Sequence, residues 1–344
     1  MNTGERMNRV DAPKGVIGCL TAGFEMVGRN LLVVALPVAL DLFLWLGPRV
    51  SVAPLVETFV RLLQTQSPAD ADAARQVAQA TSLLEQFGTQ FNLLSVISGM
   101  PMLQIPSLLA RRASGGGSPL GDPRVFSLSS FLGLIPWWVA IVFVGLVLGF
   151  LYLNEVAHQV KTSRFGSSGN QAESTEGDTA GGSGAMGASV WKLLRFGLFA
   201  LGLLLIGSAV VPLWLLVVAL GTAIAQPVGI LLWVTGVGFI GYAALHLIFV
   251  VPSLLVGERR LLRAIGESVL LTRANLFSVF GLVILALVIY EGLGYAWALP
   301  VNDSWALLVG IVGNAFVATG LTSATFVFYR DRLALARRLS FLGD

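Results

Sequence analysis

Three side chains that can carry charge fall inside long apolar runs of this 344-residue sequence: Asp41, His246 and Glu291. A charge in hydrocarbon is costly, and where one persists it marks an ion pathway, a proton relay or a paired structural group. Glu291 stands between Tyr290 and Gly292, with Gly294 and Tyr295 close by, so small neighbours leave room around its carboxylate. Asp41 lies near Trp45 and Pro48. Either acid could pass a proton or hold a cation; equally, either could reach the interface or pair with a neighbour. His246 shares a helical face with Tyr242, and no carboxylate or second histidine stands at ligand spacing from it. It therefore reads as a hydrogen-bonded packing residue rather than a metal ligand. Asn314 sits in a stripe of small residues, Gly310, Gly313, Gly320 and Ala324, which favours close helix packing with the amide as an interhelical hydrogen bond. The chemical alternative to packing is a cavity lined by Asn314, Glu291 and His246.

Other chemistry has no anchor. The sequence contains no G-x-x-x-x-G-K-[ST] phosphate loop, no H-E-x-x-H, no C-x-x-C and no G-x-S-x-G. Its single cysteine, Cys19, excludes an intramolecular disulfide and a cysteine metal cluster. We expect no enzyme activity, no metal and no cofactor. No Lys/Arg-rich block resembles a nucleic-acid footprint, so no nucleic-acid partner is expected.

The elements that must position these residues follow from composition. Hydrophobic residues make up 55% of the chain and charged ones 12%, and the mean hydropathy is +0.79. A soluble domain carries about 25% charged residues. What remains is an all-α integral membrane protein with several spans, each needing about 20 apolar residues to cross about 30 Å. Six runs qualify: 31–47, 132–153, 193–220, 228–256, 276–298 and 305–328. They are continuous rather than alternating, so helices are expected and a barrel is not. With both termini in the cytoplasm, sixteen of the 22 lysines and arginines fall on the inner side. Seven of the eight tryptophans, Trp45, Trp137, Trp138, Trp214, Trp233, Trp297 and Trp305, then fall near the outer ends. About thirty mixed residues precede the first run and no A-x-A site follows it, so no cleavable signal peptide is expected. Residues 91–110 are uncharged but carry Pro101, Pro106, Gly99, Asn92 and Gln104, and we read them as interfacial or re-entrant on the outer side.

Residues 161–189, rich in Gly, Ser, Thr and acids, form a flexible cytoplasmic linker between a two-span half (1–160) and a four-span half (190–344). Within the first half, an outer helical region over 49–125 forms a small cap. Ser67-Pro68-Ala69-Asp70 starts a helix whose face holds Ala73, Val77, Ala80, Leu84 and Phe87, and 55–63 is a second amphipathic stretch. A weak internal repeat pairs GFEMVGRNLLVV (23–34) with SVLLTRANLFSV (268–279). Each copy is a basic amphipathic helix lying in the interface and ending at an Asn, Asn30 or Asn275, that caps the following span. Val16, Ile17, Leu20, Phe24 and Val27 share one apolar face; Leu261, Leu262, Ile265 and Val269 share the other. Any basic helix before a span would present the same features.

The pattern Ser268-Val269, Arg273, Asn275, Leu276-Phe277, with Gly23-Phe24 and Arg29-Asn30 as a poorer copy, resembles bacterial multi-pass membrane proteins akin to the membrane domain attached to some glycerophosphodiester phosphodiesterases. No stretch after Phe328 could hold the phosphodiesterase domain, so the resemblance implies a membrane architecture and no catalytic activity. We expect a non-enzymatic multi-pass protein of a bacterial inner membrane, acting as scaffold, assembly factor or accessory subunit. Its partners would be the lipid bilayer and a membrane protein or a second copy. The alternative is a small-molecule or ion transporter using Asp41, His246 and Glu291.

Overall fold

The computed structural model describes residues 15–65, 71–98, 105–112, 117–163 and 182–341. The expected helix start at 67–70 and the central part of the expected linker lie outside them. Helices α1 (Val16–Arg29) and α2 (Leu32–Leu46) open the chain, and the pair is bent by 80°. Then come β1 (Arg49–Ser51), α3 (Ala53–Gln64), α4 (Ala71–Gln90), a 3-10 turn (Leu93–Ser98), α5 (Leu108–Arg111) and β2 (Val125–Ser127). Seven further helices complete it: α6 (Phe131–Thr162), α7 (Gly182–Ile224), α8 (Gln226–Leu247), α9 (Val250–Leu255), α10 (Leu261–Ala274), α11 (Leu276–Trp297) and α12 (Leu307–Phe341).

Five segments are long and apolar enough to cross a membrane: α6, α7, α8 with α9, α11 and α12; the bent α1–α2 pair makes a sixth if it counts as one span. The chain is therefore a helical, multi-pass membrane protein. Among the described positions, residues 91–110 hold only the 3-10 turn and the first three residues of α5 as helix, and no helix there is long enough to span. Helix α6 runs to Thr162 and α7 starts at Gly182, so both ends of the expected linker are helical.

The chain forms two compact units, and neither is continuous in sequence. Unit 1 comprises 1–29, 153–286 and 320–344; unit 2 comprises 30–152 and 287–319. These lines differ from the expected halves 1–160 and 190–344, because each unit draws segments from both sides of the linker.

In unit 2, Trp45, Leu108, Leu307 and Ile311 form a buried cluster, flanked by Leu42, Leu109 and Trp297. Trp45 is thus a core residue rather than an exposed interfacial anchor. Its indole donates to the Asn302 carbonyl at 2.7 Å, and its ring meets Trp305 edge-on at 5.6 Å. Strands β1 and β2 pair in parallel, Val50 opposite Phe126. Helix α3 packs on α4. The packed stripe of α4 is Val77, Thr81, Leu84 and Gly88, offset from the expected one, because Gly88 lets α4 approach Val56 closely.

In unit 1, α7 doubles back through Ala225 into α8, and Trp214 stacks on Trp233 at 4.8 Å. Helix α1 crosses α12 where Gly23 meets Gly320 and Ala324: a Cβ on Gly23 would stand 2.6 Å from Ala324 N and from the Gly320 carbonyl. The break between α8 and α9 is repaired by α10. Ser268 Oγ donates to the His246 carbonyl at 2.6 Å and accepts from Phe249 N–H at 3.2 Å, and Thr272 donates to the Leu245 carbonyl. The buried face of α10 is therefore Ala264, Ser268, Leu271 and Thr272, while Leu262 is 84% exposed. The buried face of α1 is Cys19, Leu20, Ala22, Gly23, Met26 and Val27, with Ile17 outward. The outward Ile17 and Leu262 belong to the expected apolar faces, and Leu20 and Val27 of the expected α1 face are also buried. Where lipid is the solvent, large apolar side chains lose nothing by facing out, and small or polar groups pack inward.

Candidate functional site

Among the expected residues, the structure brings Asp41 and Glu291 to one short element of unit 2, α5. Pro106 holds the chain extended before Ser107, whose side chain caps α5 by accepting from Ala110 N–H at 3.0 Å. Asp41, on α2, is wholly buried. Its carboxylate accepts from the Ser107 hydroxyl, from Leu108 N–H at 2.9 Å and from Leu109 N–H at 3.1 Å. An ionised carboxylate offers about four acceptor positions, so three are occupied by donors that α5 would otherwise leave unsatisfied. Asp41 anchors this segment to α2.

The other end of α5 is held by arginines. Arg111 pairs with Glu291 of α11 and lies over the Tyr290 ring, 4.3 Å from its centre. Gly294 leaves room for that guanidinium. Arg112 donates to the carbonyls of Ala298 and Pro300, where the chain leaves α11, and burial pushes its guanidinium below the usual value. Glu291 is about half exposed and neutralised by Arg111. The two acids are thus consumed by one task, fixing α5 against α2 and α11.

Asn314, on the unit 2 part of α12, is buried, and its Nδ2 has no hydrogen-bond partner among the described residues. Its neighbours Gly310 and Gly313 accommodate Trp297. His246 belongs to unit 1. Its Nδ1 lies 2.9 Å from the Tyr242 carbonyl, its ring packs on Tyr242, and Nε2 is buried without a partner among the described residues. Asn30 Oδ1 accepts from Leu32 N–H at 3.3 Å, at the start of α2. Asn275 acts backwards instead: its Nδ2 donates to the Leu271 carbonyl at 3.1 Å, closing the end of α10. Carbonyls left open at a helix end need a donor as much as amides need an acceptor, and here the former need is met.

Sequence reasoning missed Ser107, Arg111 and Arg112. The available signal was Pro106-Ser107 followed by two leucines and two arginines, a helix start with basic residues at its end. It also missed a second polar cluster, in unit 1. Glu267 accepts from Ser253 at 2.6 Å and from Tyr329 at 3.2 Å, with Arg259 at 3.7 Å. Glu258 accepts from Lys161 at 2.7 Å and Lys192 at 2.9 Å, and these two ammonium groups hold its carboxyl down at about 2. No group of three or more metal-ligating side chains occurs among the described residues. No protein-family model matches this chain, no curated protein matches it, and no solved structure matches its fold.

Proposed function

We propose that this chain is a non-enzymatic scaffold, assembly factor or accessory subunit of a bacterial inner membrane, with six spans and both termini cytoplasmic. It would work through the bilayer and through a membrane-protein partner or a second copy. The kinship in architecture to the membrane domain of some glycerophosphodiester phosphodiesterases belongs to the same reading. The observation that carries it is the engagement of Asp41: the most deeply buried acid of the spans accepts from three donors and serves to hold α5. Glu291, the other acid, is spent on Arg111. A proton or cation carrier needs an acid that is free to change partners; these two have fixed ones.

A second reading, an ion or small-molecule transporter, draws on two buried polar atoms without partners among the described residues, Asn314 Nδ2 and His246 Nε2. Buried polar atoms are normally bonded, and exceptions ask for a reason. One experiment separates the readings. Full-length protein is reconstituted into vesicles carrying a pH-sensitive dye, and a proton or potassium gradient is imposed. The gradient should persist as in protein-free vesicles. Collapse in the wild type that Glu291→Gln or Asn314→Leu abolishes would replace the scaffold reading with the transporter.

A further inference from the structure

The turn joining α9 to α10 is held by an unequal charge arrangement. Glu258 has φ 53°, a left-handed conformation uncommon outside glycine. Such backbone persists only where the surroundings enforce it. Here Lys161 from the end of α6 and Lys192 from the N-terminal part of α7 both donate to the same oxygen, Glu258 Oε1. Arg195, one turn after Lys192, reaches the carbonyls of Glu258 and Arg259 only at 3.5 and 3.4 Å. Arg259 is matched by Glu267. Among the described residues, Lys161, Lys192 and Arg195 therefore share a single carboxylate, which leaves two positive charges unmatched there. Each ammonium has three N–H donors and the guanidinium five. Among the described residues, most of these have no protein acceptor.

The surroundings say what kind of anion fits. Trp191 and Leu194, interleaved with Lys192 and Arg195 on α7, are 63% and 49% exposed. Past the buried Phe196, Phe199 and Ala200, the exposed Leu201, Leu205, Ile206 and Val210 continue an apolar surface along the helix. An indole beside cations at the end of a spanning helix matches the boundary between headgroups and acyl chains. A ligand taking both surfaces has a negatively charged oxygen-rich head and a hydrocarbon tail.

We propose that Lys161, Lys192 and Arg195 form a collar that binds the phosphodiester of an anionic phospholipid, with Trp191 and Leu194 receiving the start of its acyl chains. Glu258 is the collar's internal anion and competes with the lipid for the two ammonium groups. The collar is independent of which side of the membrane it faces.

The test uses delipidated full-length protein in detergent, titrated with phosphatidylglycerol or phosphatidylcholine, with bound lipid read by native mass spectrometry. Phosphatidylglycerol should be retained in preference to phosphatidylcholine. Lys161→Gln/Lys192→Gln should weaken it by roughly tenfold or more, as expected for two basic residues at an anionic headgroup. Glu258→Gln should tighten it, an outcome that misfolding cannot produce. Arg61→Gln/Arg75→Gln, which removes the same charge elsewhere, should change nothing. Equal retention of the two lipids, lysine variants that bind as the wild type does, or weaker binding by Glu258→Gln would overturn the proposal. Displacement of phosphatidylglycerol by excess inorganic phosphate in proportion to its charge would assign the collar to soluble phosphate and overturn its assignment to lipid.

Discussion

Asp41 engages three donors at once, and that determines what its loss does. Asp41→Ala leaves the Ser107 hydroxyl and two backbone amides buried without an acceptor, each costing about 1–3 kcal/mol. We expect a destabilisation of about 3 kcal/mol or more, read as a lowered melting temperature of the detergent-purified protein. Ser107→Ala, which removes one donor and the cap together, should cost about 1–2 kcal/mol. Glu258 supplies the pH dependence. Its folded value, about 2, lies below its ordinary 4.5 because Lys161 and Lys192 favour the ionised form. A lowered folded value contributes stability that is present above the ordinary one and is lost as pH falls through the folded one. The wild type should therefore lose stability between pH 4.5 and about 2 that Glu258→Gln does not lose. Parallel pH profiles of melting temperature would contradict the pairing.

At the scale of elements, the crossing of α1 with α12 gives a matched pair of substitutions on one helix. Gly23→Ala drives a methyl into the backbone of α12 and should cost about 1–3 kcal/mol. Gly28→Ala meets nothing within 4 Å and should be neutral or slightly stabilising, by up to about 1 kcal/mol. Melting temperatures of the two variants check both. The spans themselves were readable because hydrocarbon demands long continuous apolar runs, and α6, α7, α8 with α9, α11 and α12 occupy the runs at 132–153, 193–220, 228–256, 276–298 and 305–328. The inward faces of α1 and α10 were not. The amphipathic pattern marks the side offered to lipid, where Leu262 faces outward, and says nothing of the small and polar groups that meet the protein, such as Ser268 and Thr272 against the broken α8–α9 backbone. Helix α5 was illegible for another reason: four residues have no periodicity, and its shape depends on an acid 66 positions earlier. Asp41 and Glu291 stood out as costly residues in apolar runs, but their partners Ser107 and Arg111 look ordinary at the end of an uncharged segment with no period. Strands β1 and β2, at three residues each, are too short to leave an alternating pattern.

For the whole molecule, the proposed orientation places Ala71 outside and Ser174 inside. Cys19 is the only cysteine and is buried, so single cysteines can be introduced against a quiet background. A membrane-impermeant maleimide applied to intact cells should label Ala71→Cys and spare Ser174→Cys; the reverse pattern would invert the topology. Both compact units also draw on both sides of the linker. Arg111 with Glu291 and Tyr152 with Thr319 join the two sides within unit 2, as Lys161 with Glu258 and Val160 with Arg330 do within unit 1. Fragments 1–176 and 177–344, expressed together, should therefore co-purify, and independent migration of the two would contradict the interleaving. The same interleaving sets a timetable for synthesis. Unit 2 is interrupted after residue 152 and resumes at 287. At about 5–20 residues per second, the ribosome needs roughly 7–27 s to make the intervening stretch. Throughout that interval Trp45, Arg111 and Arg112 have been made but Asn302, Glu291 and the Ala298 carbonyl have not. The N-terminal segment of the unit can make its own contacts, such as Asp41 with α5, but must hold these partners open in the bilayer, so the unit is completed only after the fifth apolar run and the start of the sixth emerge.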